Sequence, residues 1–154
     1  MVNEGDPVPD VAMANVEGKT ISPADFKGQK LVLYFYPKDD TSGCTSEAQA
    51  FTALAGDFEQ AGTWILGVSK DDSRSHRKFI DKHKLKVALA SDPEGSVCEA
   101  FGTWVEKSMY GRKYMGIERA TFLVDRDGVV KRVWRKVKVS GHADEVLAAA
   151  RELP

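Results

Sequence analysis

The segment from Tyr36 to Thr45 holds the residues best suited to covalent chemistry in this chain. Cys44 lies in it, directly after Gly43 and the hydroxyl-bearing residues Thr41 and Ser42. A strand-like apolar run precedes the segment and a helical pattern follows it, so Cys44 is predicted at the start of a helix. Unpaired amides and the helix dipole stabilise negative charge there, and the thiolate is the form of cysteine that attacks. The sequence therefore predicts a nucleophilic cysteine at an accessible junction between a loop and a helix.

A buried, inert thiol is the competing interpretation of Cys44, because free cysteine is among the residues most often buried. The glycine before it and the hydroxyl groups around it favour an accessible position instead. We therefore treat Cys44 as the candidate nucleophile.

The other cysteine and the histidines indicate neither a disulfide framework nor a metal site. Cys98 is the second of two cysteines, too few for a disulfide scaffold in a chain of this size. His76, His83 and His142 show none of the usual zinc-ligand spacings near either cysteine. His76 and His83 lie close to two helical turns apart, and we interpret them as part of a solvated helix face. We expect reduced thiols and no metal.

A strand, a helix and a second strand are predicted to position Cys44. Leu31–Tyr36 lacks polar alternation, as in a central strand covered on both faces, and Pro37 ends it. After Cys44, apolar residues recur at helical spacing until Gly62 stops the helix. Trp64–Ser69 then makes a second buried strand, which completes a βαβ unit. The apolar residues of that helix are Ala48, Phe51, Leu54, Ala55 and Phe58.

The rest of the chain alternates strands with helices and ends with a hairpin and a helix. The further predicted elements are a hairpin of Val11–Val16 and Lys19–Ser22, a short helical turn at Ser22-Pro23, a helix from Ser73 to about His83 capped by Asp72, a strand at Ala88–Ser91, a helix that opens at Asp92-Pro93 and contains Cys98, a hairpin of Ala120–Asp125 and Val129–Arg135 with a glycine turn, and a last helix capped by Ser140. We interpret Trp104 to Met115 as a loop that either covers the sheet or forms one wall of the pocket around Cys44. This pattern predicts one α/β domain over residues 1–154, with a thioredoxin-like fold, a mixed central β-sheet flanked by helices on both faces, and an N-terminal β-hairpin.

Composition excludes several classes of partner. The 22 basic and 23 acidic side chains nearly cancel, so no overall field would attract nucleic acid or anionic lipid. The longest apolar run, Leu31–Tyr36, is far too short to cross a bilayer. Met1 to Val11 is polar, acidic and proline-bearing, unlike a secretion signal. We expect a cytoplasmic protein that binds neither nucleic acid nor membrane.

The spacing Pro37-x-x-x-Thr41-x-x-Cys44 resembles the active-site signature of the peroxiredoxins. The surrounding residues, Phe35 to Thr41, look like the branch of that family that contains the bacterioferritin comigratory protein and peroxiredoxin Q. The likeness extends over nearly the whole chain. Its further matching segments are Asp92-Pro93-Glu94-Gly95, Met109-Tyr110-Gly111 and Gly116-Ile117-Glu118-Arg119-Ala120-Thr121-Phe122.

The resemblance implies a role for each of four residues. Cys44 would be the peroxidatic nucleophile, Thr41 would hydrogen-bond the peroxide, Pro37 would shield the thiolate, and Arg119 would help to activate thiolate and peroxide. Donors fixed around the departing oxygen lower the barrier to breaking the peroxide bond. Without the resemblance, Thr41 could be only a helix N-cap and Arg119 only a surface ion-pair partner.

The resemblance also implies an activity without a cofactor. Hydrogen peroxide and organic hydroperoxides would be reduced to water and alcohols while Cys44 becomes a sulfenic acid. Thioredoxin, glutaredoxin or a low-molecular-weight thiol would then regenerate the thiol. The family branch further implies a monomer.

Two positions that carry a resolving cysteine in many relatives do not carry one here. Gln49 and Ile80 occupy them, which leaves Cys98 as the remaining candidate. Its neighbours suggest a helix packed against the core, so we expect Cys98 to be a buried spectator and the cycle to use one cysteine. The alternative is that Cys98 resolves after local unfolding, because a disulfide needs Cα atoms within about 7 Å. Ser42 stands where relatives usually have proline, which either loosens the loop or supplies a hydroxyl to the helix start.

Two other functions compete with the peroxidase interpretation. A thiol–disulfide oxidoreductase normally needs a Cys-x-x-Cys motif, and Thr45-Ser46-Glu47 follows Cys44 instead. A peroxide-sensing interaction protein would use oxidised Cys44 to form a mixed disulfide with a client. Steady peroxide consumption would distinguish the enzyme from the sensor.

Overall fold

Nine β-strands and five α-helices make up the computed structural model, which describes residues 1–154. The strands are β1 (Met13–Asn15), β2 (Thr20–Ile21), β3 (Lys30–Phe35), β4 (Thr63–Ser69), β5 (Ala88–Ser91), β6 (Trp104–Met109), β7 (Arg112–Ile117), β8 (Ala120–Val124) and β9 (Val130–Trp134). The helices are α1 (Ser42–Ala53), α2 (Ala55–Gln60), α3 (Ser73–His83), α4 (Ser96–Phe101) and α5 (His142–Glu152). A short 3₁₀-helix at Pro23–Phe26 confirms the helical turn expected after Ser22.

Seven of the strands form one mixed sheet in the order β2-β1-β5-β4-β3-β8-β9. The neighbours of β4 are parallel to it, whereas β8 pairs with β3, and β1 with β5, in antiparallel fashion. The predicted mixed sheet and its N-terminal hairpin are therefore confirmed. The parallel strands end at one edge of the sheet, and the chain enters α1 from that edge.

Helices cover both faces of the sheet because β3 is apolar on both sides. Val32 and Tyr34 face a core built with α1, α2, α3 and α5. Leu31 and Leu33 face a second core that includes α4 and the first residues of the chain. Every residue of β3 is buried, as its unbroken apolar run predicts. No helix combines the length and the apolar character that crossing a bilayer requires.

The helix that carries Cys44 differs from the prediction in its bounds. It begins at Ser42, so Cys44 is its third residue and not its first. It also stops at Ala53 instead of continuing to Gly62. The amide of Leu54 donates to the carbonyl of Phe51 at 3.1 Å, which tightens the last turn before α2 begins at Ala55.

The segment Trp104 to Met115, expected to be a loop, is most of a two-stranded hairpin. β6 and β7 pair in antiparallel register and form a sheet of their own. Tyr110 and Gly111, with φ of 51° and 78°, connect them in a two-residue turn whose positive φ values suit hairpins. Most side chains of the hairpin are exposed, so the segment lacks the buried alternation that identifies a strand in a sequence.

Two helix starts lie further along the chain than predicted. α4 begins at Ser96, not at Asp92-Pro93, and the buried Asp92 carboxylate accepts from the amides of Val97 and Cys98 at 3.1 and 2.8 Å. The last helix, α5, has Gly141 as its N-cap instead of Ser140, with φ of 74°. Glycine adopts this left-handed conformation without strain.

Candidate active site

Cys44 lies in the first turn of α1, at the edge of the sheet where β3 ends. The carbonyl of Thr41, the N-cap, accepts the first helical hydrogen bond from Thr45 at 2.8 Å. Only 2 % of Cys44 is exposed, so the expected helix start is confirmed and the expected accessibility is wrong. A charged side chain from the connection between β7 and β8 lies against the sulfur at the helix start.

That side chain is Arg119, the residue directly before β8. Its Nη2 donates to the Sγ of Cys44 at 3.4 Å, and its Nη1 donates to Oε1 of Glu47 at 2.7 Å. A Cβ at Gly43 would lie 3.2 Å from the same Nη2, so glycine at this position leaves room for the guanidinium. The structure therefore brings Arg119 to Cys44, as the resemblance implies.

The charge of Arg119 persists despite its partial burial. Burial works against the charged form, but the Glu47 carboxylate and the Cys44 sulfur raise the pKa of Arg119 above its ordinary value. Arginine stays protonated in proteins and offers several donors in one plane. The guanidinium can thus stabilise a thiolate and still direct an N–H towards a bound oxygen.

Glu47 is a site residue that the sequence analysis missed. It lies three positions after Cys44, on the buried face of α1, and is 1 % exposed. Burial raises its pKa to about 7, and the charge of Arg119 only partly opposes this rise. Its Oε2 has no hydrogen-bond partner. An acidic residue on the apolar helix face, one turn beyond the cysteine, is the signal that could have identified it.

Thr41 and Pro37 lie in the connection between β3 and α1. Thr41 is the N-cap by backbone position, but its side chain makes no capping bond, and its Oγ1 donates to the carbonyl of Lys38 at 2.8 Å. The oxygen of Thr41 keeps its lone pairs free to accept a hydrogen bond. Pro37 is half-buried and directly follows the strand end.

His76 holds this connection from the side of α3, so the expectation of a solvated face is wrong. It is fully buried, and its Nδ1 lies 2.8 Å from Oδ2 of Asp39. His83 is partly buried and contacts the Asp40 carboxylate at 2.8 Å. Their spacing does place both on one helix face, but that face packs against residues 37–41. The sequence does carry a signal for these contacts, namely two consecutive carboxylates, Asp39 and Asp40, shortly after a buried strand.

Lys107, in β6, lies near enough to Arg119 and Cys44 for both to act on its charge. Burial and the charge of Arg119 lower the pKa of Lys107, while the Cys44 sulfur opposes that change. The Lys107 side chain runs along the hairpin backbone, 3.3 Å from where a Cβ at Gly116 would be. One of the two sequence interpretations of Trp104 to Met115 was a segment beside Cys44.

Cys98 lies on the other face of the sheet. Cys44 packs with Val32 and Tyr34, whereas Cys98 packs with Leu33 in the second core. Cys98 is fully buried, and burial together with Asp92 raises its pKa to about 12. The structure does not bring the two cysteines together.

A cysteine at a helix start, with a guanidinium on its sulfur and a thioredoxin-like sheet beneath it, defines the cysteine-dependent peroxidases as a class. The sequence pattern of the AhpC/TSA family matches residues 4–133. The putative peroxiredoxin Bcp of Coxiella burnetii is 46% identical over 146 residues, which are 95% of this chain and 97% of that protein. The peroxiredoxin Bcp of Bacillus subtilis is 43% identical and covers 97% of this chain and 95% of its own length.

Solved structures agree with the sequence relatives. The Xanthomonas campestris bacterioferritin comigratory protein superposes with a TM-score of 0.88 at 43% identity and covers 95% of this chain and 98% of its own. A cysteine-to-serine variant of Xylella fastidiosa PrxQ superposes with a TM-score of 0.91 at 38% identity, and the match covers 97% of this chain and 95% of that chain. The chain belongs to the AhpC/TSA family, in the peroxiredoxin branch of Bcp and PrxQ, and it is a thiol peroxidase.

Proposed function

We propose that Cys44 reduces hydrogen peroxide and organic hydroperoxides by direct attack on the peroxide bond. The thiolate sulfur bonds to the terminal oxygen, the O–O bond breaks, and the departing oxygen takes up a proton to become water or an alcohol. Cys44 is left as a sulfenic acid. The observation that carries this proposal is the 3.4 Å contact between Arg119 Nη2 and Cys44 Sγ in the first turn of α1.

The neighbouring residues support the same reaction. Arg119 stabilises both the thiolate and the charge on the departing oxygen. Thr41 accepts a hydrogen bond from the hydroperoxide because its own proton is donated to the carbonyl of Lys38. We assign to Pro37, half-buried directly after β3, the shielding of the thiolate that the family resemblance implies. The X. campestris relative has an alkyl peroxide reduction activity, which supports organic hydroperoxides as substrates here.

We infer a one-cysteine cycle for regeneration. An external thiol attacks the sulfenic acid, water leaves, and a second thiol reduces the mixed disulfide. Thioredoxin, glutaredoxin and a low-molecular-weight thiol are the candidate reductants. The burial of Cys98, its raised pKa and its position across the sheet from Cys44 support its role as a spectator.

We further infer that the protein acts in the cytoplasm as a monomer, with residues 1–154 as one domain. A thiol that must be re-reduced in every cycle suits a compartment that keeps thiols reduced. The family resemblance supports the monomer. No cofactor is needed, because the sulfur itself performs the two-electron step.

Steady-state peroxide consumption tests the proposed function. With each reductant supplied in turn, the wild-type protein should consume many equivalents of hydrogen peroxide, and Cys44→Ser should consume none. Cys98→Ser should turn over like the wild type. Oxidation that stops after one equivalent with every reductant would contradict the enzyme and indicate the peroxide sensor. Loss of turnover in a folded Cys98→Ser protein would contradict the one-cysteine cycle.

A further inference from the structure

Two consecutive aspartates in the β3–α1 connection point in different directions. Asp39 turns inward and is buried, whereas Asp40 is exposed and pairs with Lys82 and His83 at the surface of α3. Burying a carboxylate is costly unless it is paired and hydrogen-bonded. The inward position of Asp39 therefore needs compensating partners.

The Asp39 carboxylate has three such partners. The hydroxyl of Tyr36 donates to Oδ1 at 2.6 Å, the hydroxyl of Ser75 donates to Oδ2 at 2.8 Å, and Nδ1 of His76 lies 2.8 Å from Oδ2. The side chains of His76 and Asp39 are 0% and 3% exposed, so water cannot replace these contacts. The network joins the active-site connection to α3.

His76 also anchors the network to the sheet. Its Nε2 lies 3.0 Å from the carbonyl of Ala90 in β5, and a carbonyl oxygen accepts only. Its Nδ1 lies within hydrogen-bond distance of the Asp39 carboxylate. Both ring nitrogens are engaged, and the ring cannot turn without losing a buried contact.

The peptide group between Lys38 and Asp39 links this network to the site. Its N–H, on Asp39, donates to Oδ2 of Asp71 at 2.9 Å, and its C=O, on Lys38, accepts from Oγ1 of Thr41 at 2.8 Å. Asp71 is in turn held by the hydroxyl of Ser69 at 2.7 Å. A rotation of this peptide plane would move the acceptor that orients the Thr41 hydroxyl.

We propose that Asp39 and His76 are positioning residues for the peroxidase reaction, because their buried contact fixes the peptide plane that orients Thr41 beside Cys44. This inference rests on the proposed function. The pair does not touch the peroxide. It acts through Thr41, whose lone pairs face the substrate only while residues 37–41 keep this conformation.

Asp39→Asn tests the inference with two reagents for the same sulfur. The amide cannot accept from all three donors, so the peptide plane loses its support. The rate constant for oxidation of Cys44 by hydrogen peroxide should fall by about tenfold or more, as expected when a reacting group is misplaced. Alkylation by iodoacetamide needs a thiolate but no hydrogen bond to Thr41, so its rate should change by less than about threefold.

Asp40→Asn is the matched control, since it lies in the same connection and asparagine tolerates the left-handed φ of 58° found there. Both of its rate constants should stay within about twofold of the wild type, because the Asp40 carboxylate and its partner Lys82 are exposed. Tyr36→Phe removes one donor to Asp39 without changing the packing volume appreciably. Tyr36→Phe should lower the rate constant for peroxide oxidation by about threefold or more and leave the alkylation rate unchanged. If Asp39→Asn does not fold, Tyr36→Phe tests the positioning role in its place.

Three results overturn the positioning role. The first is a folded Asp39→Asn or Tyr36→Phe protein that reacts with peroxide at the wild-type rate. Equal losses in the peroxide and alkylation rates are another, because they indicate general disruption of the helix start. A wild-type protein whose Cys44 does not react with peroxide overturns the proposed function and, with it, this inference.

Discussion

The guanidinium of Arg119 contacts both a nucleophile, Cys44, and a buried acid, Glu47. One nitrogen of its guanidinium contacts the Cys44 sulfur and the other contacts Glu47. A fork of donors can hold both partners at once, whereas an ammonium group is a point charge on a flexible stem. The geometry at the sulfur therefore depends on the shape of the cation as well as on its charge.

Arg119→Lys should lower the rate constant for peroxide oxidation of Cys44 by about 100-fold, because the donor to the departing oxygen is lost while the charge stays. Stopped-flow mixing with hydrogen peroxide measures this rate. The Arg126→Lys protein, changed at an exposed arginine in the turn between β8 and β9, should react at the wild-type rate. An Arg119→Lys protein that reacts at the wild-type rate would contradict the role of the guanidinium.

Glu47 should make stability depend on pH in a definite direction. Its pKa is about 7 in the folded protein against an ordinary value of 4.5, so the folded state binds the proton more tightly than the unfolded state. The resulting stabilisation is complete below pH 4.5 and is lost as pH rises through 7. Its size is on the order of 1 to 3 kcal/mol.

Glu47→Gln should remove this loss, so the difference in unfolding free energy between variant and wild type should grow in the variant's favour from pH 4.5 to above pH 7. Urea denaturation across that range measures it. Glu59→Gln on the exposed side of α2 should keep the wild-type slope. Parallel pH profiles for Glu47→Gln and wild type would show that folding does not shift the pKa of Glu47.

The start of α1 decides where the sulfur lies. Ser42 occupies the first helical position, where proline is favoured because its fixed φ suits the helix and its missing N–H is unpaired there anyway. Thr41 before it has φ of −90° and ψ of 157°, in the extended region that a following proline requires. The local backbone is thus already compatible with proline.

Ser42→Pro should therefore raise the free energy of unfolding by about 0.4 to 1 kcal/mol, mainly by restricting the unfolded chain. The peroxide rate should not fall, since no hydrogen bond of Ser42 is lost. Thermal and urea denaturation measure the stability of Ser42→Pro. The matched control is Ser42→Ala, which changes the side chain without fixing φ. A Ser42→Pro protein less stable than Ser42→Ala would contradict the backbone geometry at this turn.

The sequence predicted the elements whose burial leaves a clear pattern and missed those held by particular contacts. β3 was identified from its unbroken apolar run, and Cys44 and Arg119 from a family motif. The β6–β7 hairpin was missed because its side chains are mostly exposed. His76 was misplaced because its partner, Asp39, is remote in sequence and only the folded chain brings them together.

For the whole molecule, one sheet separates two cores and places a cysteine in each. The same strand, β3, supplies residues to both cores, so neither core is complete without it. This shared strand supports the proposal that residues 1–154 form one cooperative unit.

Urea unfolding followed by far-ultraviolet circular dichroism and by tryptophan fluorescence should give one coincident transition. The tryptophans report different regions, since Trp104 lies at the base of the hairpin and Trp134 packs near α5. Separate midpoints for the two signals would indicate that the two cores unfold independently and would contradict the single domain.

The most direct test of Cys44 as the residue that peroxide oxidises is the intact mass of the protein after one equivalent of hydrogen peroxide, combined with peptide mapping. We expect one oxygen to be added at Cys44, with Cys98 still a free thiol. A loss of two hydrogens through a bond between Cys44 and Cys98, or an unmodified Cys44, would contradict it.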